Sequence, residues 1–275
     1  MTARTRLAVL GSPIAHSKSP AIHRAAYKAL GLDWTYEAVE VTGFDLAHFV
    51  ASRDDEWRGL SLTMPLKRDV VPLLTWSDPI VSLVRGANTV VLSDDEVRGY
   101  NTDVRGITHA FAEAGVHSLA SVHVLGAGAT AASVLVGVAE LGASRVTFAA
   151  RTPERAQPLV ELGAALSVEV VVRPWGIQDR SLIIPDAIIS TVPGGGNDLV
   201  FAEEVRRSAV LFDVAYDPWP SGLATAWSSV GGTVISGLDL LVHQAIGQVR
   251  IFLTGDPELA LPDESRVLGA MRAAL

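Results

Sequence analysis

The chain has 275 residues, of which 49% are hydrophobic, so it can form two α/β domains with cores of their own and is not a disordered polypeptide. Its formal net charge is −8 and it contains no basic run, so nucleic acid is not expected as a partner. The absence of cysteine excludes disulfides and thiolate sites, and the lack of a signal-peptide pattern or a membrane-length apolar stretch predicts a cytoplasmic protein.

Short apolar strand patterns alternate with helical patterns in the first part of the chain. The strand patterns lie at Arg6–Leu10, Trp34–Val41, Gly59–Met64, Asn88–Leu92 and Val97–Tyr100, the last two as a hairpin around Ser93-Asp94-Asp95. The helical patterns lie at Ser19–Leu30, Asp45–Ser52, Leu66–Leu74 and Asp103–Ala114. The first helix has Ser19 as its expected N-cap, Pro20 in its first turn and Gly31 just past its end.

The alternation continues through the second part of the chain. Strand patterns lie at Ser121–Leu125, Arg145–Ala149, Glu169–Val172, Ala187–Thr191 and Ala209–Val214. Helical patterns lie at Ala131–Leu141, Leu238–Leu253 and Glu264–Leu275. Strands that alternate with helices predict a parallel sheet that is covered on both faces. The glycine run Gly194–Gly196 is expected to be either a flexible loop on the cofactor side or a plain linker turn.

A glycine-rich turn, Gly126-Ala-Gly-Ala-Thr130, follows the strand pattern that ends at Leu125. Glycines between a strand and a helix let the backbone approach a pyrophosphate. An NAD site normally has an acidic residue after the second strand, whereas this chain has Arg151 there and Arg155 soon after it. Because a guanidinium suits a 2′-phosphate, these motifs predict NADP as the cofactor.

Polar side chains lie at the ends of the predicted elements, where sites on α/β sheets form. Ser17 and Ser19, beside a helix N-terminus, can bind a carboxylate. Lys67 can exchange a proton with a substrate oxygen, and Asp103 can accept a hydrogen bond from a substrate hydroxyl. Each has an ordinary alternative, namely N-capping for Ser19 and Asp103 and a solvated side chain for Lys67.

Two further polar residues stand out later in the chain. Gln244 lies on the flank of the apolar stripe of the last long helix, where it can face a cleft or be an exposed glutamine. Tyr216 follows the strand pattern that ends at Val214, and it can point into a site or pack against Pro218 and Trp219. The seven histidines show no metal-binding spacing, so no metal site is expected.

As a set, these clusters resemble the shikimate dehydrogenase family, whose members reduce 3-dehydroshikimate with NADPH. The matching segments follow the family's order along nearly the whole chain: Gly11–Pro20 with His23, Leu62–Lys67, Gly86–Thr89, Asn101–Asp103, Gly126–Gly128, Ala150–Thr152 and Gly237–Ala245. The resemblance implies an α/β substrate domain of residues 1–103 and 238–275, to which the C-terminal helices return. It also implies a Rossmann-like NADP-binding domain of residues 104–237.

The resemblance also implies roles for individual residues. Ser17 and Ser19 would hold the substrate carboxylate, and Lys67 and Asp103 would form the catalytic pair, with Lys67 as general acid and base. The residues implied to bind the ring hydroxyls and orient the ring are Thr63, Asn88, Tyr216 and Gln244. The residues implied to bind NADP are Gly126, Ala127, Gly128, Ala129, Thr130, Arg151, Thr152, Arg155, Thr191, Val192, Val214 and Gly237.

Three positions depart from the family pattern. Ser61 replaces an Asn two residues before the threonine of the lysine motif, which puts one substrate contact or local support in doubt. Ala129 replaces a glycine of the turn and Ala150 an Asn before Arg151, which puts some cofactor affinity and one adenosine contact in doubt.

Alternative hypotheses stay open. An NAD-dependent quinate/shikimate dehydrogenase often has threonine at the second serine and an acidic residue near the ribose, so Ser19 and Arg151 argue against it. Lys67 and Asp103 argue against a catalytically silent relative that senses shikimate-pathway ligands. A methylenetetrahydrofolate dehydrogenase would have no clear purpose for the two serines. A small-molecule substrate is expected, and the chain is expected to be a monomer or a homodimer.

Overall fold

The computed structural model describes residues 5–93, 95–176, 184–192 and 199–275. Asp94 of the predicted hairpin turn and the glycine run Gly194–Gly196 lie outside the described residues. The chain forms two compact α/β units, a first unit of residues 1–102 and 242–275 and a second unit of residues 103–241. Within the described ranges, no helix is both long enough and apolar enough to cross a membrane.

A mixed six-stranded sheet forms the centre of the first unit. Its strands are β1 (Arg6–Gly11), β2 (Thr35–Glu40), β3 (Trp57–Leu62), β4 (Trp76–Ser77), β5 (Thr89–Leu92) and β6 (Val97–Tyr100). They lie in the order β2-β1-β3-β5-β6-β4. β1 is parallel to β2 and β3, whereas β5 is antiparallel to β3 and β6. The predicted hairpin of β5 and β6 is confirmed.

Helices cover this sheet. They are α1 (Ser19–Leu30), α2 (Leu46–Ala51), α3 (Leu66–Asp69), α4 (Pro79–Val84), α11 (Glu264–Arg272) and the part of α10 (Gly237–Thr254) that begins at Val242. α1 ends at Gly31, as predicted, in the left-handed conformation with φ 70°. The core comprises buried side chains from strands and helices alike, among them Ala8, Leu10, Leu60, Leu62, Leu66, Val81 and Val90. α10 crosses β3 closely, because a Cβ on Gly59 would lie 2.6 Å from Phe252 Cε1.

The prediction of a single helix from Leu66 to Leu74 is wrong. The structure has the short helix α3 and then a separate 3₁₀ turn at Val71–Leu73. Pro72 has no N–H, and its ring clashes with the carbonyl four residues earlier, so an α-helix does not continue through it. The short elements β4 and α4, which the sequence patterns did not indicate, follow this turn.

An all-parallel six-stranded sheet forms the centre of the second unit, as predicted. Its strands are β7 (Ser121–Leu125), β8 (Arg145–Ala150), β9 (Glu169–Pro174), β10 (Ala187–Ser190), β11 (Val210–Asp213) and β12 (Val234–Ser236). The order is β12-β11-β10-β7-β8-β9, and all neighbours are parallel. This is the Rossmann arrangement, in which the strand order reverses between β7 and β10 and leaves a crevice at their carboxyl ends.

The helices of the second unit are α5 (Asp103–Glu113), α6 (Ala129–Glu140), α7 (Gln157–Ala165), α8 (Glu203–Ser208), α9 (Gly222–Ser228) and the first turn of α10. α6 is apolar on all sides, and eight consecutive residues from Ala131 to Val138 are buried. It begins two residues before the predicted start, so Ala129 and Thr130 form its first turn and not the loop.

Candidate active site

The polar segments of the first unit follow neighbouring strands. β1 and β3 are parallel and pair Leu10 with Leu62, so their carboxyl ends meet at one edge of the sheet. The end of β1 touches the segment after β3, because a Cβ on Gly11 would lie 2.5 Å from Thr63 Cγ2. The Thr63 N–H also donates to the Leu10 carbonyl at 2.9 Å. The fold therefore brings the double-serine segment and the lysine motif to the same sheet edge.

The two serines lie at the N-terminus of α1. The helix begins at Ser19 with Lys18 as N-cap, and no side chain of the N-cap bonds to it, so the prediction of Ser19 as the cap is wrong. The physical reason is that the Ser17 hydroxyl already accepts the Ser19 N–H, at 3.3 Å. Two hydroxyls beside the first N–H groups of a twelve-residue helix form an arrangement that suits an anion such as a carboxylate.

Lys67 lies on α3 and is half-buried, not fully solvated as in its ordinary alternative. Its backbone carbonyl accepts the Ala87 N–H at 2.8 Å. Because Asn88 is the next residue, the start of α3 and the start of β5 are tied together. The end of β3 is also bonded to the residue before β5, since the Leu62 N–H donates to the Asn88 carbonyl at 2.8 Å.

Asn88 is only 1% exposed and holds two other candidate segments. Its Oδ1 accepts the Thr102 N–H at 3.0 Å and the Thr89 hydroxyl at 2.8 Å. Its Nδ2 lies 3.0 Å from Thr102 Oγ1 and donates to Gln244 Oε1 at 3.4 Å. Gln244 is buried at 9% exposure, so the alternative of an exposed glutamine is wrong. Asn88 and Gln244 therefore belong to one polar cluster.

Asp103 follows Thr102 in the chain and is the first residue of α5. Its side chain is 4% exposed, and its position inside the helix differs from the N-cap alternative. The preceding residues are anchored, because Asn88 holds Thr102 and the Asn101 Nδ2 donates to the Gly86 carbonyl at 2.9 Å. The backbone that leads into Asp103 is therefore fixed by the same cluster.

Gln248 is a member of this cluster that the sequence analysis missed. It is 2% exposed, and its Nε2 donates to the Asn88 carbonyl and to Thr89 Oγ1, each at 3.1 Å. Its Oε1 accepts the Ser61 hydroxyl at 2.9 Å. The signal that could have revealed it is the four-residue spacing from Gln244, which puts both amides on one face of a helix.

Ser61, one of the departures from the family pattern, is inside the first unit and 3% exposed. Its hydroxyl accepts from Tyr36 at 2.6 Å and donates to Gln248 at 2.9 Å. The substitution put either a substrate contact or local support in doubt, and these hydrogen bonds show that Ser61 provides local support.

His23 lies on α1 and contacts the polar cluster through Gln248. Its Nε2 is 3.1 Å from Gln248 Oε1, and its Nδ1 is 3.2 Å from the Tyr27 hydroxyl. Complete burial lowers the pKa of His23 to about 3, with the hydrogen bond to Gln248 as a smaller opposing effect. The imidazole is therefore neutral near pH 7 and carries one N–H.

In the second unit, the glycine-rich turn lies at the point where the strand order reverses. Gly126 has φ 103°, a conformation that side chains with a Cβ rarely adopt. A Cβ there would also lie 2.5 Å from Thr191 Oγ1. Thr191 is the residue just past β10, and its hydroxyl donates to the Leu125 carbonyl at 2.9 Å. Gly126 is therefore required by the close approach of the segments after β7 and β10.

Gly128 has a different environment. It is the N-cap of α6 with φ −84°, no side chain caps the helix there, and a Cβ would have no atom within 4 Å. Neither backbone strain nor packing requires glycine at this position. What glycine provides is open space directly in front of the free N–H groups of a twelve-residue helix, which fits a pyrophosphate.

The cationic residues predicted for the 2′-phosphate follow β8, the neighbour of β7. Arg151 and Thr152 come directly after the strand and are exposed. Arg155 is exposed in the 3₁₀ turn Pro153–Ala156. Ala150, the position of the missing Asn, is the last residue of β8 and is buried.

The remaining cofactor candidates lie at the carboxyl ends of β10, β11 and β12. Thr191 and Val192 follow β10, Val214 follows β11, and Gly237 follows β12 at the start of α10. A Cβ on Gly237 would collide with the Val214 carbonyl oxygen, so glycine is required where these ends converge. All the predicted cofactor residues therefore share one edge of the second sheet.

Tyr216 lies in the segment that connects β11 to α9. Asp213, at the end of β11, anchors this segment by accepting the Ser221 hydroxyl and, at 3.3 Å, the Ala215 N–H. Burial raises the pKa of Asp213, and the hydrogen bond from Ser221 opposes this effect. Tyr216 is half-buried, and burial raises the pKa of its phenol. It belongs to the second unit, whereas Thr63, Lys67, Asn88 and Gln244 belong to the first.

The chemistry available in the first unit consists of one lysine, two hydroxyls at a helix N-terminus and two side-chain amides, which suits a small polyhydroxylated acid. The second unit offers a glycine turn at a helix N-terminus with two nearby guanidinium groups, which suits a dinucleotide with an additional phosphate. Over the described ranges, no group of three or more His, Asp or Glu side chains could hold a metal ion.

Comparison with known proteins gives a consistent result. Residues 9–90 match the family model described as the shikimate dehydrogenase substrate binding domain. The shikimate dehydrogenase (NADP(+)) of Methanothermobacter thermautotrophicus is 31% identical over 265 residues, which cover 94% of each chain.

Solved structures agree with this. The chain is similar to the crystal structure of Mycobacterium tuberculosis shikimate dehydrogenase, with a TM-score of 0.84 and 38% identity over 98% of this chain and 99% of that one. It is also similar to shikimate 5-dehydrogenase from Thermus thermophilus in complex with NADP(H) and shikimate. There the TM-score is 0.82 and the identity 28%, over 98% of this chain and 100% of that one.

Proposed function

The chain belongs to the shikimate dehydrogenase family, and from this membership we propose that it catalyses the reversible NADPH-dependent reduction of 3-dehydroshikimate to shikimate. This is an oxidoreductase reaction on a CH–OH group in the biosynthesis of chorismate and the aromatic amino acids. The observation that carries the proposal is the similarity to NADP-dependent members over 94% of both chains.

NADP fits the residues present in the second unit. Gly126, Ala127, Gly128, Ala129 and Thr130 are assigned to the pyrophosphate, because the turn ends in free helix N–H groups with open space at Gly128. In this assignment Ala129, where the family has glycine, is the first residue of α6 and contributes its backbone.

The adenosine end is assigned to the segment after β8. Arg151 and Arg155 bind the 2′-phosphate with Thr152 beside them, since both guanidinium groups are exposed and follow the strand next to β7. The nicotinamide end is assigned to Thr191, Val192, Val214 and Gly237 at the ends of β10 to β12. When bound, NADPH supplies the hydride that is added to C3 of the substrate.

The substrate is assigned mainly to the first unit. Ser17 and Ser19 hold its carboxylate through their hydroxyls at the N-terminus of α1. The ring hydroxyls are assigned to Thr63, Asn88, Gln244 and, from the second unit, Tyr216. Support comes from the direct bond between Asn88 and Gln244, which places two side-chain amides side by side.

Lys67 and Asp103 are assigned as the catalytic pair. In the reduction, the Lys67 ammonium donates a proton to the C3 oxygen as the hydride reaches C3, and in the oxidation the neutral amine removes that proton. Asp103 positions Lys67 and accepts a hydrogen bond from the substrate hydroxyl. Positioning matters because hydride transfer requires the two carbons to be close and aligned.

Neither of the main alternatives is favoured. The curated relatives with full-length similarity are named shikimate dehydrogenase (NADP(+)), which favours neither an NAD-dependent quinate enzyme nor a silent sensor. We further propose residues 1–103 with 238–275 as the substrate domain and residues 104–237 as the NADP domain. We also propose that the protein is a cytoplasmic monomer or homodimer. The net charge of −8 supports the absence of a nucleic-acid partner.

The decisive experiment is to incubate the purified protein with shikimate and NADP⁺ and to follow the absorbance of the reduced nicotinamide. Parallel reactions replace shikimate with quinate and NADP⁺ with NAD⁺. The highest kcat/KM is expected for shikimate with NADP⁺. A higher kcat/KM for quinate with NAD⁺, or no turnover by a folded protein that binds shikimate, would overturn the proposal in favour of one of the alternatives.

A further inference from the structure

Gln248 connects the buried interior of the first unit with two residues assigned to the substrate. We propose that Gln248 is a positioning residue, which fixes the direction in which the side-chain amides of Asn88 and Gln244 face a ring hydroxyl of the substrate. This inference rests on the proposed function, because it concerns the binding of that substrate.

The orientation of the Gln248 amide follows from its partner. One of its contacts on the β5 side is the Asn88 carbonyl oxygen at 3.1 Å, and a carbonyl oxygen can only accept. The atom that faces it must therefore be Nε2, which donates. Oε1 then faces the opposite side, towards Ser61 and His23.

This orientation passes to the Asn88 side chain through Thr89. The second Gln248 N–H donates to Thr89 Oγ1 at 3.1 Å. The threonine hydroxyl has one proton, and it donates this proton to Asn88 Oδ1 at 2.8 Å. Oδ1 is also the acceptor for the Thr102 N–H. The Asn88 Nδ2 must consequently be on the other side of the amide, where Gln244 lies.

The same direction continues to Gln244. Its Oε1 accepts from Asn88 Nδ2 at 3.4 Å, so its amide nitrogen is on the opposite side of that group. Gln244 thereby presents donor N–H groups away from Asn88, and a substrate hydroxyl oxygen is an acceptor that matches them. The chain of hydrogen bonds from Gln248 to Gln244 thus has one direction.

The interior end prevents reversal. The Ser61 hydroxyl receives the Tyr36 proton and donates its own to Gln248 Oε1, at 2.6 and 2.9 Å. His23 is neutral, its Nδ1 lies 3.2 Å from the Tyr27 hydroxyl, and its Nε2 lies 3.1 Å from the same Oε1. Because Oε1 can only accept, it selects the tautomer with the proton on Nε2. A reversed Gln248 would turn its Oε1 towards the Asn88 carbonyl oxygen and its NH₂ group towards the Ser61 hydroxyl, which already receives the Tyr36 proton, inside a fully buried site, and this is costly.

The test compares shikimate with two analogues, each lacking one of the two ring hydroxyls that are not oxidised. Gln248→Met keeps the side-chain length and removes all the hydrogen bonds of the amide. Its kcat/KM is expected to fall about tenfold for shikimate. For the analogue that lacks the hydroxyl bound by Asn88 and Gln244, the loss is expected to stay below about twofold, because no contact remains to be misdirected. KM for NADP⁺ is expected to stay unchanged.

Ser61→Ala is the matched control, because it removes a partner of Gln248 on the interior side and leaves both donors to Asn88 and Thr89. It is expected to lower the thermal midpoint while the relative kcat/KM values of the three substrates stay as in wild type. If Gln248→Met does not fold, Gln248→Glu, which retains size and the acceptor oxygen, is measured in the same way.

The outcomes separate the two proposals. Wild-type turnover together with a selective loss in the Gln248 variant supports the inference. Wild-type turnover with an equal loss for all three substrates overturns the inference alone, since a merely structural residue would behave in that way. Absence of wild-type turnover overturns the proposed function and the inference with it.

Discussion

The imidazole of His23 stacks on the phenol ring of Tyr36, with ring centroids 4.0 Å apart and planes 8° from parallel. Both side chains are completely buried, and Ser61 and Gln248 connect their polar atoms. A protonated imidazole in this position would lose its hydration and gain no carboxylate partner within this network. The folded state therefore favours the neutral form of His23.

This arrangement predicts a specific dependence of stability on pH. The pKa of His23 is about 3 in the folded protein and about 6.5 in the unfolded chain, so the unfolded state binds the proton first. The stability that neutral His23 contributes is present above about pH 6.5 and is lost as the pH falls towards 3. Well below pH 6.5 the loss approaches about 1.4 kcal/mol per pH unit.

His23→Gln, which cannot titrate, is expected to flatten the dependence of the unfolding free energy on pH relative to wild type. The measurement is urea unfolding at a series of pH values from about 5 to 8. The difference between the two slopes isolates His23 from the carboxylates that both proteins share. Equal slopes in wild type and variant would show that His23 does not keep a lowered pKa.

Substitution of the two glycines of the cofactor turn is predicted to have different effects on stability and on NADP binding. Gly126→Ala places a Cβ at φ 103° and 2.5 Å from Thr191 Oγ1, so we expect a destabilisation of about 1–3 kcal/mol together with weaker NADP binding. Gly128→Ala has an ordinary φ and open space, so we expect wild-type stability with a KM for NADP⁺ raised about tenfold or more. Thermal unfolding and steady-state kinetics of both variants test this contrast. A stable Gly128→Ala enzyme with unchanged KM would remove Gly128 from the pyrophosphate site.

Arg151→Ala is predicted to reduce the preference for NADP⁺ over NAD⁺. A charged hydrogen bond to a phosphate is worth about 1.5–3 kcal/mol, so kcat/KM should fall about ten- to a hundredfold with NADP⁺ and little with NAD⁺. Arg145→Ala provides the matched control, because it removes an exposed arginine from the opposite end of β8. The same loss with both cofactors would indicate a role unrelated to the 2′-phosphate.

Lys67→Ala is predicted to lower kcat about a hundredfold or more and to leave KM for shikimate comparatively unchanged, because general acid–base catalysis acts on the transition state. Arg68→Ala is the control, since Arg68 is the neighbouring cation on α3 and is exposed. Its kcat is expected to stay close to that of wild type. Near-normal turnover by Lys67→Ala would exclude Lys67 from proton transfer.

The fold was largely predictable because its long elements have clear periodicity. The errors arise where one residue overrides the pattern, as Pro72 does within the predicted Leu66–Leu74 helix. The elements that were missed are short: β4 has two residues, β12 has three, α4 and α8 have six each and α9 has seven. A pattern with period 2 or 3.6 cannot be recognised over such lengths.

The site was predictable only as far as its residues belong to recognisable motifs. Gln248 lies on α10 just past the matching segment Gly237–Ala245, and its partner Ser61 lies 187 positions earlier in the chain. Nothing local relates the two residues, because their pairing exists only once α10 has packed on the sheet.

The first unit is discontinuous in the chain, and this affects how it is made. Its sheet is encoded by the first 102 residues, whereas α11 and most of α10 come after the whole second unit. During synthesis, Ser61, His23 and Asn88 therefore leave the ribosome long before Gln244 and Gln248. Until then the polar interior of the nascent first unit lacks its amide partners and the apolar face at Gly59 lacks Phe252. On the proposed assignment of Gln244 to the substrate, substrate affinity is thus among the last properties that the newly made chain acquires.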